Sequence, residues 1–199
     1  MRVVPSDQLR DDARGDARSP RADAQRNRLR VLAAARIVVA SRGLNATYDQ
    51  IAREAGVGVG TAYRHYPDRN ELLHELLLEE LNSLIGVAEH ALEQSNSWQG
   101  FTEFFVEFAR RATEHAGLSD SLQNSSEDLD YAKASLRSLV EQLTQRAQAD
   151  GHMRPDARWQ DILFLAHGAA AAAGCLLHES APDDQLDRNL DVIVKGLHA

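Results

Sequence analysis

The chain has 199 residues, of which 43% are hydrophobic and 26% are charged, and its net charge is −8. This length allows one or two compact domains of an ordinary globular type, and no apolar run of 18 residues is present to form a membrane-spanning helix. Residues 1–24 lack the apolar stretch of a signal peptide, and the single cysteine, Cys175, excludes an internal disulfide framework. We therefore expect a cytoplasmic protein with no membrane partner.

Positive and negative charges are separated along the chain. Residues 1–70 contain 13 Arg and no Lys against 8 acidic residues, a net charge of +5, whereas residues 71–199 have a net charge of −13. A basic N-terminal third joined to an acidic remainder favours a protein in which one part meets a polyanion. A chance imbalance of charge on solvated surfaces is the alternative interpretation.

The N-terminal third predicts an arm followed by three helices. Residues 1–24 are polar and aperiodic, which is typical of a disordered arm. Residues 26–42 have apolar side chains at helical spacing, and Gly43 then provides a stop. Thr47 can cap a second helix over Tyr48–Ala55, and a third short helix follows over Gly60–Tyr66.

The remainder predicts helices throughout. Pro67 ends the third helix, and Asp68 with Glu71 three residues later predicts a capping box for a fourth helix that runs to about Gln94. The breaks in the pattern predict further helices over Trp98–His115, Glu127–Ala149, Asp156–His178 and Asp183–His198, with a short piece at Ser119–Asn124. The fold class is therefore all-α, with three helices within residues 25–72 followed by a larger helical part at residues 73–199.

The stretch EAGVGVGTAYRHYPDRNELL predicts the helix-turn-helix itself. Small or apolar residues occupy each position that must face inward or turn the chain: Ile51, Ala52, Ala55, Gly56, Val57 and Ala62. The outer face then carries side chains suited to base edges and phosphates. A plain helical hairpin with these polar groups facing water is the alternative. The expected DNA-binding residues are Thr47, Val59, Gly60, Thr61, Tyr63, Arg64, His65 and Arg69, with Thr61 and Arg64 on bases and Thr47, Tyr63, His65 and Arg69 on phosphates.

The segment VLAAARIVVASRGLNATYDQIAREAGVGVGTAYRHYPDRNELL resembles the tetracycline-repressor (TetR) family of bacterial transcriptional regulators. The resemblance implies an all-α protein with a three-helix helix-turn-helix DNA-binding domain at residues 25–72, followed by a larger helical ligand-binding and dimerisation domain at residues 73–199. It also implies a homodimer that binds a palindromic DNA operator and is released from it by a small-molecule effector. Two positions depart from the family pattern: Gly58 replaces a frequent Ser cap, and Val59 replaces a frequent polar residue. Val59 can instead touch a thymine methyl group.

Two apolar stripes near the C-terminus predict dimerisation. Two such helices from each subunit can pair as a four-helix bundle, and small residues allow close backbone approach. Internal packing of both stripes within one subunit is the alternative. The stripes comprise Leu163, His167, Ala170, Gly174 and Leu177 in the penultimate helix, and Leu186, Leu190, Ile193 and Leu197 in the last helix.

Aromatic and polar side chains in the acidic part predict a pocket for a mostly apolar small molecule. Most of the phenylalanines must also belong to the core. No cofactor and no metal site are expected. The expected pocket residues are His90, Phe101, Phe104, Phe105, Phe108, His115, Tyr131, Phe164 and His167.

An enzyme and a protein-binding adaptor are the competing classes. The sequence has no Gly-rich phosphate loop, nucleophile elbow or His-Glu-x-x-His motif. A carboxylate-rich iron-binding bundle needs Glu-x-x-His on two helices, and Glu71–His74 is one lone match. A helical adaptor leaves the turn pattern and the basic third unexplained. The sequence therefore favours a DNA-binding transcriptional regulator that acts as a repressor and has no enzymatic activity.

Overall fold

The computed structural model describes residues 20–114, 126–175 and 184–199, and within these ranges it contains helices and no β-strand. The all-α prediction is confirmed. None of the described helices is long and apolar enough to cross a membrane. The helices are α1 Pro20–Arg42, α2 Tyr48–Ala55, α3 Val59–His65, α4 Arg69–Glu93, α5 Ser97–Glu114, α6 Glu127–Ala149, α7 Trp159–Cys175 and α8 Gln185–Leu197, with a 3-10 turn at Gly43–Asn45.

The first three helices form a small bundle closed by the start of α4. Helix α1 packs against α2, α3 and α4, and α2 packs against α3. Val31, Leu32 and Ala35 of α1 are buried against Ile51 and Ala52 of α2. Because these side chains share one core, α3 is held in place against α1 and α2.

The remaining helices build on α4, which continues without a break past the expected domain boundary at residue 72. Helix α4 packs against α5 and α6, α5 packs against α7, and α7 packs against α8. Phe101, Phe104 and Phe105 of α5 are fully buried at the centre of this part. Gly100 allows α5 to approach α4, because a Cβ atom there would lie 2.3 Å from the Ala91 carbonyl oxygen.

Several helix ends differ from the expected ones by a few residues. Helix α1 begins at Pro20, within the expected arm, and Asp23 forms an ion pair with Arg26 in its first turns. Asp68 caps α4 as expected, but its carboxylate accepts a hydrogen bond from the Asn70 amide at 2.8 Å. The rest of the arm, the expected piece at residues 119–124, and two expected site residues, His115 and Leu177, lie outside the described ranges.

Candidate nucleic-acid interface

The turn between α2 and α3 has the geometry that the sequence predicts. Thr47 and Gln50 form a reciprocal capping box at the start of α2. Gly56 adopts a left-handed conformation with φ of 63°, which a residue with a Cβ atom adopts only at a cost. The Val57 amide donates to the Ala52 carbonyl at 3.0 Å and so closes the end of α2. The expected inward residues Ile51, Ala52, Ala55 and Ala62 are all buried.

The outer face of α3 presents the expected side chains to solvent to different degrees. Gly60, Tyr63 and Arg64 are exposed, and Thr47 is exposed at the neighbouring cap of α2. Thr61 and His65 are half-buried at the edges of this face, and Val59 is half-buried because it packs partly against the core. The sequence-predicted DNA-binding residues of α3 are therefore exposed or half-buried, as a contact with DNA requires.

Arg64 is the cation on this face that is free to meet a ligand. Within the described ranges it is exposed and has neither an ion-pair nor a hydrogen-bond partner for its side chain. By contrast, Arg28 and Arg36 form ion pairs with glutamates of α4. An unpaired guanidinium carries five donors and matches a guanine edge or a phosphate in a two-point contact.

Arg69 has a structural role that the sequence pattern did not reveal. Its guanidinium donates to the Leu44 carbonyl at 2.7 Å and to the Ala46 carbonyl at 2.6 Å. These bonds fasten the start of α4 to the turn that precedes α2. These two bonds also restrict the rotation of the Arg69 side chain. The contact of Arg69 with a DNA phosphate stays a prediction.

The C-terminal end of α3 is also held by side chains from α1. Arg28 donates to the His65 carbonyl at 3.1 Å, and its guanidinium lies 4.4 Å from the centroid of the buried Tyr66 ring. The same guanidinium forms an ion pair with Glu75 of α4 at 2.5 Å. Arg28 therefore joins α1, α3 and α4 at one point. No sequence motif indicates this, because its partners lie 37 and 47 residues away.

Tyr48 provides a further tie between α2 and the end of α3. Its hydroxyl donates to the Tyr66 carbonyl at 2.7 Å. Burial raises the pKa of the Tyr48 hydroxyl and that of the Tyr66 hydroxyl, so both phenols are neutral at pH 7. Tyr48 consequently keeps its proton for the bond to the carbonyl.

The expected pocket residues do not gather around one described cavity. The four phenylalanines of α5 are buried and stack in pairs, Phe101 with Phe105 and Phe104 with Phe108. The His167 ring is exposed but meets Phe108 edge-on, with centroids 5.2 Å apart. The others lie on the surface: His90 is exposed, Tyr131 is 76% exposed and Phe164 is 78% exposed.

Two described clefts lie elsewhere. A polar cleft of about 400 Å³ lies where α1, α4 and α5 meet, and is lined by Arg36, Glu79, Glu80, Ser83, Glu107, Arg110 and Arg111. In it, Arg111 forms ion pairs with Glu107 at 2.6 Å and with Glu80 at 3.5 Å. An open groove of about 370 Å³ runs beside Phe164 and Leu165.

Apart from His167, the expected dimer residues whose burial the structure describes are buried or half-buried within the protomer. Ala170, Leu190 and Leu197 are buried within the protomer, and Leu163, Leu186 and Ile193 are half-buried against its core. Gly174 lies in the last turn of α7. The large apolar side chains that these helices expose are different ones, namely Phe164, Leu165 and Val192. The α8 stripe therefore packs internally, and in the α7 stripe Leu163 and Ala170 do so whereas His167 is exposed.

The lone Glu-x-x-His pair is engaged in structural contacts. His74 Nε2 lies 2.5 Å from Ser126 Oγ, which also caps α6, and Glu71 lies 3.8 Å from Arg28. Among the residues that the structure describes, no group of three or more His, Cys, Asp or Glu side chains could hold a metal ion.

Comparisons with known proteins agree with this geometry. The family model for bacterial regulatory proteins of the tetR family matches residues 31–76, which include α2, α3 and the start of α4. The model for the C-terminal domain of SbtR-like transcriptional regulators matches residues 97–199. An HTH-type transcriptional regulator of Staphylococcus aureus (strain bovine RF122 / ET3-1) is 36% identical over 66 residues. That match covers 33% of this chain and only 36% of the relative's length.

Solved structures extend the similarity to most of the chain. The TetR transcriptional regulator SCO0520 from Streptomyces coelicolor is 29% identical, with a TM-score of 0.65 over 86% of this chain and 98% of its own. A TetR transcription regulatory protein from Mycobacterium vanbaalenii is 30% identical, with a TM-score of 0.62 over 90% of this chain and 99% of its own. The helix-turn-helix has a buried inner face and an exposed outer face, in agreement with these matches. The matches show that the chain belongs to the TetR family of transcriptional regulators.

Proposed function

We propose that this regulator binds a palindromic DNA operator as a homodimer, acts as a repressor, and is released from DNA by a small molecule. The observation that carries the DNA-binding part is the outer face of α3, where the unpaired Arg64 lies beside exposed Tyr63 and Gly60. Ties from Arg28, Tyr48 and Arg69 hold the surrounding backbone, so this face meets DNA already formed. A preformed surface loses little conformational entropy on binding.

The charge distribution supports the same assignment. The segment that contains α1, α2 and α3 is basic, whereas the rest of the chain is acidic. A polyanion therefore meets attraction at α3 and repulsion elsewhere, which orients the protein on DNA. Arg64 and Thr61 are the proposed base contacts, and Thr47, Tyr63, His65 and Arg69 are the proposed phosphate contacts. Val59 and Gly60 complete the surface.

Selection of bound fragments from random double-stranded DNA tests this assignment. We expect enrichment of an inverted repeat, with half-sites about 34–36 Å apart because two α3 helices enter successive major grooves on one face. Arg64→Ala should lose the enriched sequence. Failure of the wild-type protein to enrich any sequence would contradict operator binding.

The proposed homodimer uses the apolar surface of α7 and α8 formed by Phe164, Leu165 and Val192. Large apolar side chains exposed on packed helices are typical of a protein interface. Gly168 and Gly196 lie on the same two helices, and each has open space where a Cβ would be, so a partner helix can approach them closely. A two-fold axis through this surface generates a four-helix bundle. Sedimentation as a monomer at micromolar concentration would contradict it.

The proposed effector is a mostly apolar small molecule bound among α4, α5, α6 and α7. Because the α5 phenylalanines are buried and stacked on one another, α5 must separate from a neighbouring helix to admit the effector; the phenylalanines then form the apolar wall, with His167 against Phe108 as a polar group at its edge. FadR from Bacillus subtilis, which shares the fold at 16% identity with a TM-score of 0.59, was solved in complex with stearoyl-CoA; the alignment covers 85% of this chain and 99% of FadR. That likeness establishes the fold alone.

Thermodynamic reciprocity tests effector control. Compounds from a cell extract that release the selected DNA should bind the free protein more tightly than the DNA complex, by the same factor that they weaken DNA binding. A coupling of about 1–3 kcal/mol corresponds to a change of about 5- to 150-fold. A compound that binds both forms equally is not the effector.

A further inference from the structure

The exposed Tyr63 of α3 rests on a buried aromatic ring. The rings of Tyr63 and Tyr48 are stacked, with centroids 4.2 Å apart and planes inclined by 19°. Tyr63 is 50% exposed, whereas Tyr48 is only 7% exposed. One face of the Tyr63 ring is thus covered by the protein, and the rest of the side chain is presented on the outer surface of α3.

The ring beneath Tyr63 is fixed at both ends. Tyr48 occupies the first position of α2, directly after the capping residue Thr47. Its hydroxyl donates to the Tyr66 carbonyl at 2.7 Å, just beyond the end of α3. Tyr48 therefore spans from the start of α2 to the end of α3, and its side chain cannot change to another χ1 rotamer without breaking a buried hydrogen bond.

We propose that Tyr48 is a positioning residue of the DNA interface, which holds the Tyr63 ring in the one orientation that brings its hydroxyl to the DNA backbone. This inference rests on the proposed binding of DNA by α3. An exposed tyrosine without a stacking partner samples several rotamers, and DNA binding must then restrict them. Stacking on the Tyr48 ring restricts the Tyr63 rotamers already in the free protein. The Tyr63 side chain therefore loses less conformational entropy when DNA binds.

A purely structural role for Tyr48 predicts different behaviour. If Tyr48 only fills space between α2 and α3, its replacement alters the whole outer face, and DNA affinity falls whether or not Tyr63 is present. If Tyr48 acts through Tyr63, its effect on DNA affinity disappears once Tyr63 is removed. A double-mutant cycle on the dissociation constant separates the two roles.

The cycle uses the full chain and the operator fragment selected with it. Tyr48→Leu removes the stack and should weaken operator binding about 2- to 10-fold, the range expected for one aromatic pair. Tyr48→Phe keeps the stacked ring, which stays buried between α2 and α3, and should therefore lose less affinity than Tyr48→Leu although the hydroxyl bond is gone. In a Tyr63→Ala background, Tyr48→Leu should cause no further loss. Ile37→Ala, which alters an exposed apolar side chain of α1 to which no role is assigned, is the control and should leave affinity unchanged.

A second measurement does not depend on DNA or on the stability of the Leu variant. The ring protons of Tyr63 in the free wild-type protein should have NMR shifts displaced by the Tyr48 ring current, and Tyr48→Phe should preserve that displacement. Undisplaced Tyr63 shifts in the wild-type protein would overturn the inference. An equal loss of affinity for Tyr48→Leu with and without Tyr63 would overturn it as well, while leaving operator binding intact. Wild-type protein that selects no DNA sequence would instead overturn the proposed function and this inference together.

Discussion

Phe164 provides the sharpest test of how the protomers associate. It lies on α7 with 78% of its surface exposed, close to Leu165 and on the outer side of the helix pair that includes Val192. At this exposure the Phe164 side chain contributes little to the hydrophobic stabilisation of its own protomer. We therefore expect Phe164→Ala to leave the protomer folded and to weaken the homodimer.

The size of the effect follows from the exposed fraction. Complete burial of a phenylalanine side chain is worth about 1.5–3 kcal/mol, so burial of the exposed 78% in a dimer is worth about 1–2.5 kcal/mol. A two-fold interface uses both copies, which doubles the effect to about 2–5 kcal/mol for the dimer. The dissociation constant of the dimer should rise about 30- to 4,000-fold.

Sedimentation over a concentration series measures this constant directly, with circular dichroism to confirm that the helices remain. Tyr131→Ala is the matched control, because Tyr131 is 76% exposed on α6 and lies outside the proposed interface. Leu190→Ala provides the contrast: Leu190 is 2% exposed, so its loss should destabilise the protomer itself by about 2–5 kcal/mol. The reasoning is wrong if Phe164→Ala dimerises as tightly as the wild type, or if Tyr131→Ala dissociates the dimer.

Three other substitutions test the DNA-binding surface and the packing beneath it. Arg64→Ala should weaken binding to the selected operator by about 1–3 kcal/mol and relax sequence preference, which competition with altered operators measures. Arg69→Ala removes two bonds to backbone carbonyls and should lower the free energy of unfolding by about 1–3 kcal/mol in urea titrations. Gly100→Ala places a Cβ atom 2.3 Å from the Ala91 carbonyl oxygen and should lower the melting temperature, at a cost of about 1–3 kcal/mol. Unchanged values for these variants would contradict the respective contact.

The sequence predicts the local geometry of the helix-turn-helix well because the signals there are short-range. Thr47 caps α2 through the residue three positions later, and Gly56 adopts the left-handed conformation that ends the helix. The burial of Ile51 and Ala62 follows from helical periodicity within a few turns. Each of these features depends on neighbours close in the chain, so a single sequence carries enough information to predict them.

The sequence does not predict which apolar residues of the C-terminal helices face inward. Leu190 and Phe164 both belong to apolar patterns at helical spacing, yet one is buried and the other is exposed. Helix α7 is apolar around much of its circumference, so periodicity alone cannot assign its faces. The same limit applies to the pocket prediction, since Tyr131 and Phe164 face outward while the α5 phenylalanines pack on one another.

Long-range polar ties also escape sequence reasoning, and they determine how α3 relates to the rest of the protein. Arg28 bonds to the His65 carbonyl and to Glu75, so it links the end of α3 to a point one and a half turns into α4. Arg36 makes a similar link from α1 to Glu79, one turn further along. Because α4 is one continuous helix that also packs against α5 and α6, a shift of α4 must either break these ion pairs or move α1 and α3 with it. In the proposed mechanism α1 and α3 move together with α4, because the ion pairs of Arg28 and Arg36 stay intact. The outer face of α3 is then preserved, while its position relative to the α3 helix of the partner subunit changes.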